Sequence, residues 1–214
     1  LVVEQLEFNL EDSVHFSNMS FSINPGEIVL LAGASGSGKS TLAGVLTGYY
    51  PESGGTLKSG TISVSGQDLL SMDNQESMGY VSASFQNARL AFAMENLYQE
   101  LIFCLENKGL DPSLMDEMVK EHAKKTGVAE LLERSFDVMS GGELQRANFA
   151  CLEIINPLVY ILDEPFSNLD DQKANELQET ILELKKQNKI ILVIDHRLDR
   201  WQFVDRMMVL SRAG

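Results

Sequence analysis

The residues with the clearest chemical potential are Gly33-Ala34-Ser35-Gly36-Ser37-Gly38-Lys39-Ser40-Thr41. They follow an apolar run, Ile28-Val29-Leu30-Leu31-Ala32, and precede Leu42-Ala43-Gly44-Val45-Leu46, which reads as a helix. The order G-x-x-x-x-G-K-[ST] between strand and helix is the pattern of a phosphate-binding loop, the P-loop. Its glycines let backbone N–H groups turn inward onto phosphate oxygens. The helix adds its partial positive end. Lys39 brings a full charge for the outer phosphates of a nucleoside triphosphate, and Ser40 a hydroxyl for Mg²⁺.

Other residues suggest related chemistry. Val159-Tyr160-Ile161-Leu162-Asp163-Glu164 is an apolar strand ending in two carboxylates. At the ligand edge of a parallel sheet, Asp163 would hold Mg²⁺ and Glu164 would polarise the attacking water. Pro165 follows, so an acidic helix cap is the competing reading, which the upstream loop outweighs. Ser140-Gly141-Gly142-Glu143 sets a hydroxyl and two glycines ahead of a helix, again anion-binding chemistry, with a plain cap as the alternative. One triphosphate needs one P-loop, so this second element suggests a grip on a partner's nucleotide. Gln86 ends a predicted strand and can reach the metal or the water; a solvent-exposed strand end is the plainer reading. His196 ends another strand and can donate to a γ-phosphate, although a lone histidine is usually structural.

These groups need a scaffold. Residues 1–23 alternate apolar and polar and predict two antiparallel strands, turning near Glu11-Asp12-Ser13. Residues 51–60 read as a loop, Thr61-Ile62-Ser63-Val64-Ser65 and Met78 to Phe85 as strands. From Asn87 to about Leu152 the pattern is helical. Leu97, Leu101 and Leu105 share one face; Leu114, Met118 and His122 share another. A further helix opens at Leu144. Strands return at Leu158–Leu162, Ile190–Ile194 and Met207–Leu210, with a helix from Gln172 to about Gln187 between the first two. Strands alternating with helices imply an α/β fold with a mostly parallel sheet. The expected layout is a single domain over 1–214: a nucleotide-binding core with an N-terminal antiparallel β-subdomain (about 1–86 and 153–214) and an inserted α-helical subdomain (about 87–152).

The bulk properties set limits. The 214 residues carry 17 basic and 31 acidic side chains, a net charge of −14, with 44% hydrophobic residues. That excess of acid argues against a nucleic-acid partner, which would need a basic stripe, and against direct adsorption to an anionic membrane. No apolar run approaches a membrane span. Cys104 and Cys151 are not a Cys-x-x-Cys pair and are expected to be reduced.

Taken together, the motifs resemble those of ABC-type ATPases over essentially the whole chain. Gly33–Thr41 match Walker A and Val159–Glu164 match Walker B. Met139-Ser140-Gly141-Gly142-Glu143 is similar to the LSGGQ signature, with Met for Leu and Glu for Gln. Gln86 falls at the Q-loop, Ser167-Asn168-Leu169-Asp170 at the D-loop and His196 at the switch histidine. Leu10 stands where the family places an adenine-stacking aromatic, with Phe8 and Phe16 nearby. The resemblance implies a P-loop NTPase (RecA-like) core, ATP and Mg²⁺ as cofactors, and hydrolysis by a head-to-tail pair. In that pair Ser140, Gly141, Gly142, Glu143 and Asp170 would face the partner's nucleotide, with Gln86 also a metal ligand. Residues 95–110 and His196-Arg197-Leu198-Asp199 resemble the ATPases of energy-coupling factor (ECF) transporters, which import vitamins or transition-metal ions. The implied partners are a second ABC ATPase domain and an integral membrane transport protein, docked in a groove near Gln86 that Phe92, Met94, Leu97 or Tyr98 would line. The implied location is the cytoplasmic face of the membrane, held peripherally. An end at Gly214, soon after the last strand, fits one half of a tandem ATPase chain. The alternatives are a soluble ABC ATPase of DNA repair or translation, an ATPase of another transporter class, and a non-hydrolysing half-site, against which Glu164 and His196 speak.

Overall fold

The computed structural model describes residues 1–10, 13–84 and 92–211. Two sheets and a set of helices build it. Strands β1 (Val2–Leu10), β2 (Ser13–Ser22), β4 (Thr56–Val64) and β5 (Gln67–Asp68) form an antiparallel sheet in the order β2-β1-β4-β5. Strands β3 (Ile28–Ala32), β6 (Val81–Ser84), β7 (Val159–Asp163), β8 (Ile190–Ile194) and β9 (Arg206–Val209) form a second sheet, β6-β7-β8-β3-β9, parallel throughout. The runs Val-Tyr-Ile-Leu-Asp of β7 and Ile-Ile-Leu-Val-Ile of β8 are buried at every position. This is the pattern of central strands covered on both faces.

The covering layers follow from the two-residue period of a strand. Val29 and Leu31 of β3 face a core shared with helix α1 (Lys39–Leu46) and the antiparallel sheet. Ile28 and Leu30 face the opposite core, with helix α6 (Gly141–Ile155) and helix α7 (Asp171–Lys186). A third apolar cluster belongs to the helical lobe: α4 (Leu97–Asn107), α5 (Pro112–Lys125) and α6. Helix α6 therefore serves both the lobe and the sheet. Short helices α2 (Tyr49–Glu52) and α3 (Asn74–Met78) complete the fold.

Several local expectations need correction. Residues 51–60 are not a loop: α2 ends at Glu52 and β4 begins at Thr56. Gly60, within that expected loop, lies inside β4, where a Cβ would sit 2.6 Å from Leu6 Cα. Glycine in a strand marks such a close approach. Met78 ends α3 rather than opening a strand, because Asp73 caps that helix by accepting from Glu76 N–H. On α5 the buried face is Met115, Val119 and Ala123, one position on from the expected stripe, and Leu114 is 53% exposed. His122, from that stripe, is half-buried, with Nε2 2.8 Å from Ala150 O. The signature helix opens at Gly141, not Leu144. Its glycines occupy a first turn whose N–H groups need no partner within the helix. The turn at Glu11-Asp12 and the Q-loop residue Gln86 lie outside the described residues.

Candidate nucleotide site

Because the second sheet is parallel, the carboxyl ends of its strands share one edge, where ligands bind in such folds. The loop of Gly33–Gly38 leaves β3 there, Asp163 ends β7, and Asp195 and His196 follow β8. β6 runs beside β7 and ends at Ser84, opposite Leu162, so the chain leaves β6 one residue short of Asp163.

The P-loop is open in its middle and tight at its ends. Ala34, Ser35 and Gly36 are exposed, while Ser37 is buried. Helix α1 starts at Gly38 with no side-chain cap, so its first N–H groups are not claimed by a side chain. The Lys39 ammonium donates to Gly33 O at 2.9 Å and Ala34 O at 3.1 Å, crossing the loop. A Cβ on Gly33 would lie 2.4 Å from Leu210 O and 2.7 Å from Ser37 Oγ, so no other residue fits there. Ser37 Oγ is buried without a hydrogen-bond partner. An orphaned hydroxyl inside a glycine-lined loop at a helix N-terminus fits an anion such as a phosphate. Thr41, half-buried, is the third residue of α1.

Ser40 and Asp163 lie 123 positions apart in sequence, yet Ser40 Oγ donates to Asp163 Oδ2 at 3.1 Å. Asp163 is 5% exposed. Burial pushes its carboxyl up, the Ser40 bond pulls it down, and the charges of Glu164 and Asp195 push it up again against the pull of the Lys39 ammonium. A buried carboxylate with acidic neighbours and a hydroxyl is a hard-oxygen donor set short of positive charge. It suits Mg²⁺, which takes one or two protein oxygens and fills its shell with water and phosphate. Among the described residues no group of three or more His, Cys, Asp or Glu side chains could hold a metal.

Glu164 stands at φ +49°, a conformation uncommon for a residue with a side chain and concentrated at functional sites. Its N–H donates to Ile194 O at 2.8 Å, and its Oε1 lies 3.0 Å from His196 Nδ1. The His196 side chain is 66% exposed. What holds that loop is Asp195, a residue the sequence reading passed over. Its carboxylate is fully buried and accepts from Trp201 Nε1 at 3.0 Å and Arg197 N–H at 2.9 Å. The signal was present in the acid-aromatic pair Asp195 and Trp201, six residues apart.

The signature residues contact one another rather than the P-loop. Ser140 caps α6 in a reciprocal box: its Oγ accepts from Glu143 N–H at 3.3 Å, and the Glu143 carboxylate accepts from Ser140 N–H at 2.8 Å. The D-loop lies across Gly141 and Gly142: a Cβ on Gly141 would be 3.2 Å from Asn168 Cβ, and one on Gly142 3.0 Å from Asn168 O. Asp170 caps α7 by accepting from Lys173 N–H at 2.8 Å. Phe8 and Phe16 are buried, and the Phe16 ring packs against Gly38, 3.1 Å from where a Cβ would sit. Phe16 supports the P-loop from beneath, and neither buried ring offers a face to a base.

A groove of about 520 Å³ opens between core and lobe, lined by Tyr49, Met78, Phe92, Phe103 and Cys104 among others. Leu97 is fully buried in the lobe and is not part of it. Tyr98 donates its hydroxyl to Asp116 Oδ1 at 2.9 Å. A larger groove, about 650 Å³, lies between α6 and α7, and none of the residues selected for chemistry lines it. Both cysteines are free and buried. Cys104 beside it and burial push the Cys151 thiol up, so that thiol is inert.

Comparison with known proteins agrees with this geometry. Residues 16–167 match the family described as ABC transporter. A Bacillus subtilis protein provisionally named HMP/thiamine import ATP-binding protein YkoD is 34% identical over 219 residues; the match takes in 100% of this chain and 40% of YkoD. The chain thus spans about two-fifths of that relative. The energy-coupling factor transporter ATP-binding protein EcfA1 of Ureaplasma parvum is 35% identical over 204 residues, covering 95% of this chain and 68% of that protein. Among solved structures, the ATP-binding cassette MJ0796, a dimer with ADP and Pi, superposes with a TM-score of 0.84 at 17% identity over 98% of this chain and 94% of that one. A P-loop with its acidic strand end, a signature helix and this all-parallel sheet lead to the same place as the matches: the chain belongs to the ABC transporter family, as an ATP-binding cassette of the ABC ATPase type.

Proposed function

We propose that this chain binds ATP with Mg²⁺ on Gly33–Thr41, closes head to tail on a second cassette, and hydrolyses the ATP to drive a membrane transporter. The transporter is of the ECF type, importing a vitamin or a transition-metal ion. The observation that carries the reading is the meeting of Ser40 with Asp163 and of Glu164 with His196 at one sheet edge. The EcfA1 and YkoD relatives support the transporter class.

The roles follow from the chemistry of each group. Loop N–H groups and Lys39 bind the phosphates. Ser40 and Asp163 would hold Mg²⁺, which supplies positive charge against that building on the phosphate oxygens. Glu164 takes the proton of the attacking water, and His196 donates to a γ-phosphate oxygen. Gln86, outside the described residues, senses the metal or the water. Ser140, Gly141, Gly142 and Glu143 cap the nucleotide of the second cassette, with Asp170 in the D-loop at the same junction. The groove beside Phe92 receives the membrane protein. Among the described residues no helix is long and apolar enough to cross a membrane, in keeping with peripheral attachment at the cytoplasmic face.

Glu164→Gln tests the catalytic core. Loss of the general base is expected to lower kcat by about 10²–10⁴-fold while ATP affinity is retained. Unchanged turnover would remove Glu164 from that role.

A further inference from the structure

The signature of this chain carries a carboxylate where the LSGGQ pattern has an amide. Glu143 sits in the first turn of α6, where a partner's triphosphate would approach. Its Oε2 accepts from Ser140 N–H and from Ser140 Oγ, both at 2.8 Å. These bonds, then the Arg134 ion pair, hold its carboxyl below the usual range, so it is charged. The helix N-terminus attracts an anion, and a bare carboxylate within it would repel one.

Arg134 answers that charge. Its Nη1 donates to Glu143 Oε1 at 2.5 Å and its Nη2 to Val138 O at 3.3 Å, so the guanidinium bridges the approach segment and the helix. The segment is fixed from behind: Phe136 stacks on Phe92 with ring centroids 3.7 Å apart, and Phe136 N–H donates to Glu95 O. The ion pair itself is open to solvent, with side chains 42% and 25% exposed. Pairs so exposed contribute little to folding. Its effect is on the local potential, where a fixed guanidinium also favours phosphate.

We propose that Arg134 is a positioning residue of the composite nucleotide site, holding Glu143 in its cap on Ser140 and offsetting its charge so that Ser140-Gly141-Gly142 can accept a partner's γ-phosphate. This rests on the head-to-tail reading above. The test is ATP hydrolysis by the full-length protein in its native assembly. Arg134→Ala is expected to raise KM for ATP about tenfold, the weight of one charge-assisted hydrogen bond, with a smaller change in kcat. Binding of a fluorescent ATP analogue to the protein's own P-loop should not move, which a folding defect would not spare. The Arg134→Ala/Glu143→Gln double variant should return to within about twofold of Glu143→Gln alone, because the charge to be offset is gone. A wild-type KM in Arg134→Ala, or a double variant no better than Arg134→Ala, overturns the proposal. Ser140→Arg in the same assay separates the two failures. Full activity there removes the head-to-tail reading and the proposal together; lost activity there, with Arg134→Ala at wild-type KM, removes the proposal alone.

Discussion

Asp163 and Glu164 are consecutive carboxylates with different settings, and the difference assigns their chemistry. Asp163 ends a fully buried strand and bonds Ser40. Glu164 has turned out of the strand at positive φ and lies against His196. One suits a metal, the other a water molecule. Glu153 is a third carboxylate with an unusual setting, away from the site on α6. Burial pushes it up from the ordinary 4.5 to about 7, with Lys125 pulling the other way. Between those two values the folded protein holds a proton that the unfolded chain has released, so stability falls as pH rises through that window and stays lower above it. Glu153→Gln is therefore expected to raise the unfolding free energy at pH 8 by about 1–3 kcal/mol and to give no such gain near pH 4. Denaturant melts at the two pH values check this; an equal difference at both would contradict it.

Helix starts are the elements on which the site depends, and they differ. α1 begins without a side-chain cap, α6 begins in a box of Ser140 and Glu143, and α7 is capped by its own Asp170. α1 alone of these has no side chain accepting from its N-terminal N–H groups. A second element-level link joins the lobe to the segment that follows the Q-loop. Glu100, 6% exposed, accepts from Ala93 and Met94 N–H, each at 2.9 Å. Glu100→Ala strands both donors and should cost about 1–3 kcal/mol, with amide exchange accelerated more at Ala93 and Met94 than within α4. Uniform exchange across the lobe would refute that link. Much of this scale could be read from sequence. The runs of β3, β7 and β8 announce buried parallel strands, and the glycines and lysine of residues 33–41 announce a phosphate loop. What escaped has physical reasons. Gly60 reads as part of a loop and Gly141 as lying ahead of its helix because composition does not reveal a close backbone approach or a helix first turn. The α5 stripe slipped by one residue because Leu114 and Met118 are apolar and yet exposed. Phe8 and Phe16 looked available for a base, but the packing of β1 and β2 beneath Gly38 buries them. Asp195 was missed because its partner, Trp201, lies across a loop.

For the whole molecule, the arrangement is half of a machine. Lys39, Ser40, Asp163, Glu164 and His196 converge within one chain, while Ser140 bonds Glu143 and Glu143 in turn pairs with Arg134. On the proposed reading, a helix start that binds phosphate but does not serve its own P-loop calls for a second cassette. The groove between core and lobe, bounded by Phe92 and Phe103, is the docking surface that the proposed function assigns to the membrane protein. The net charge of −14 leaves attachment to a protein rather than to anionic lipid as the favoured route. The most direct measurement is a structure of the full-length Glu164→Gln protein with ATP and Mg²⁺. The expected result is ATP held between cassettes, with the γ-phosphate on the second cassette's P-loop within hydrogen-bond distance of the Ser140 hydroxyl of this chain. ATP on Lys39 with its γ-phosphate open to solvent, and Ser140 still donating only to Glu143, would contradict it.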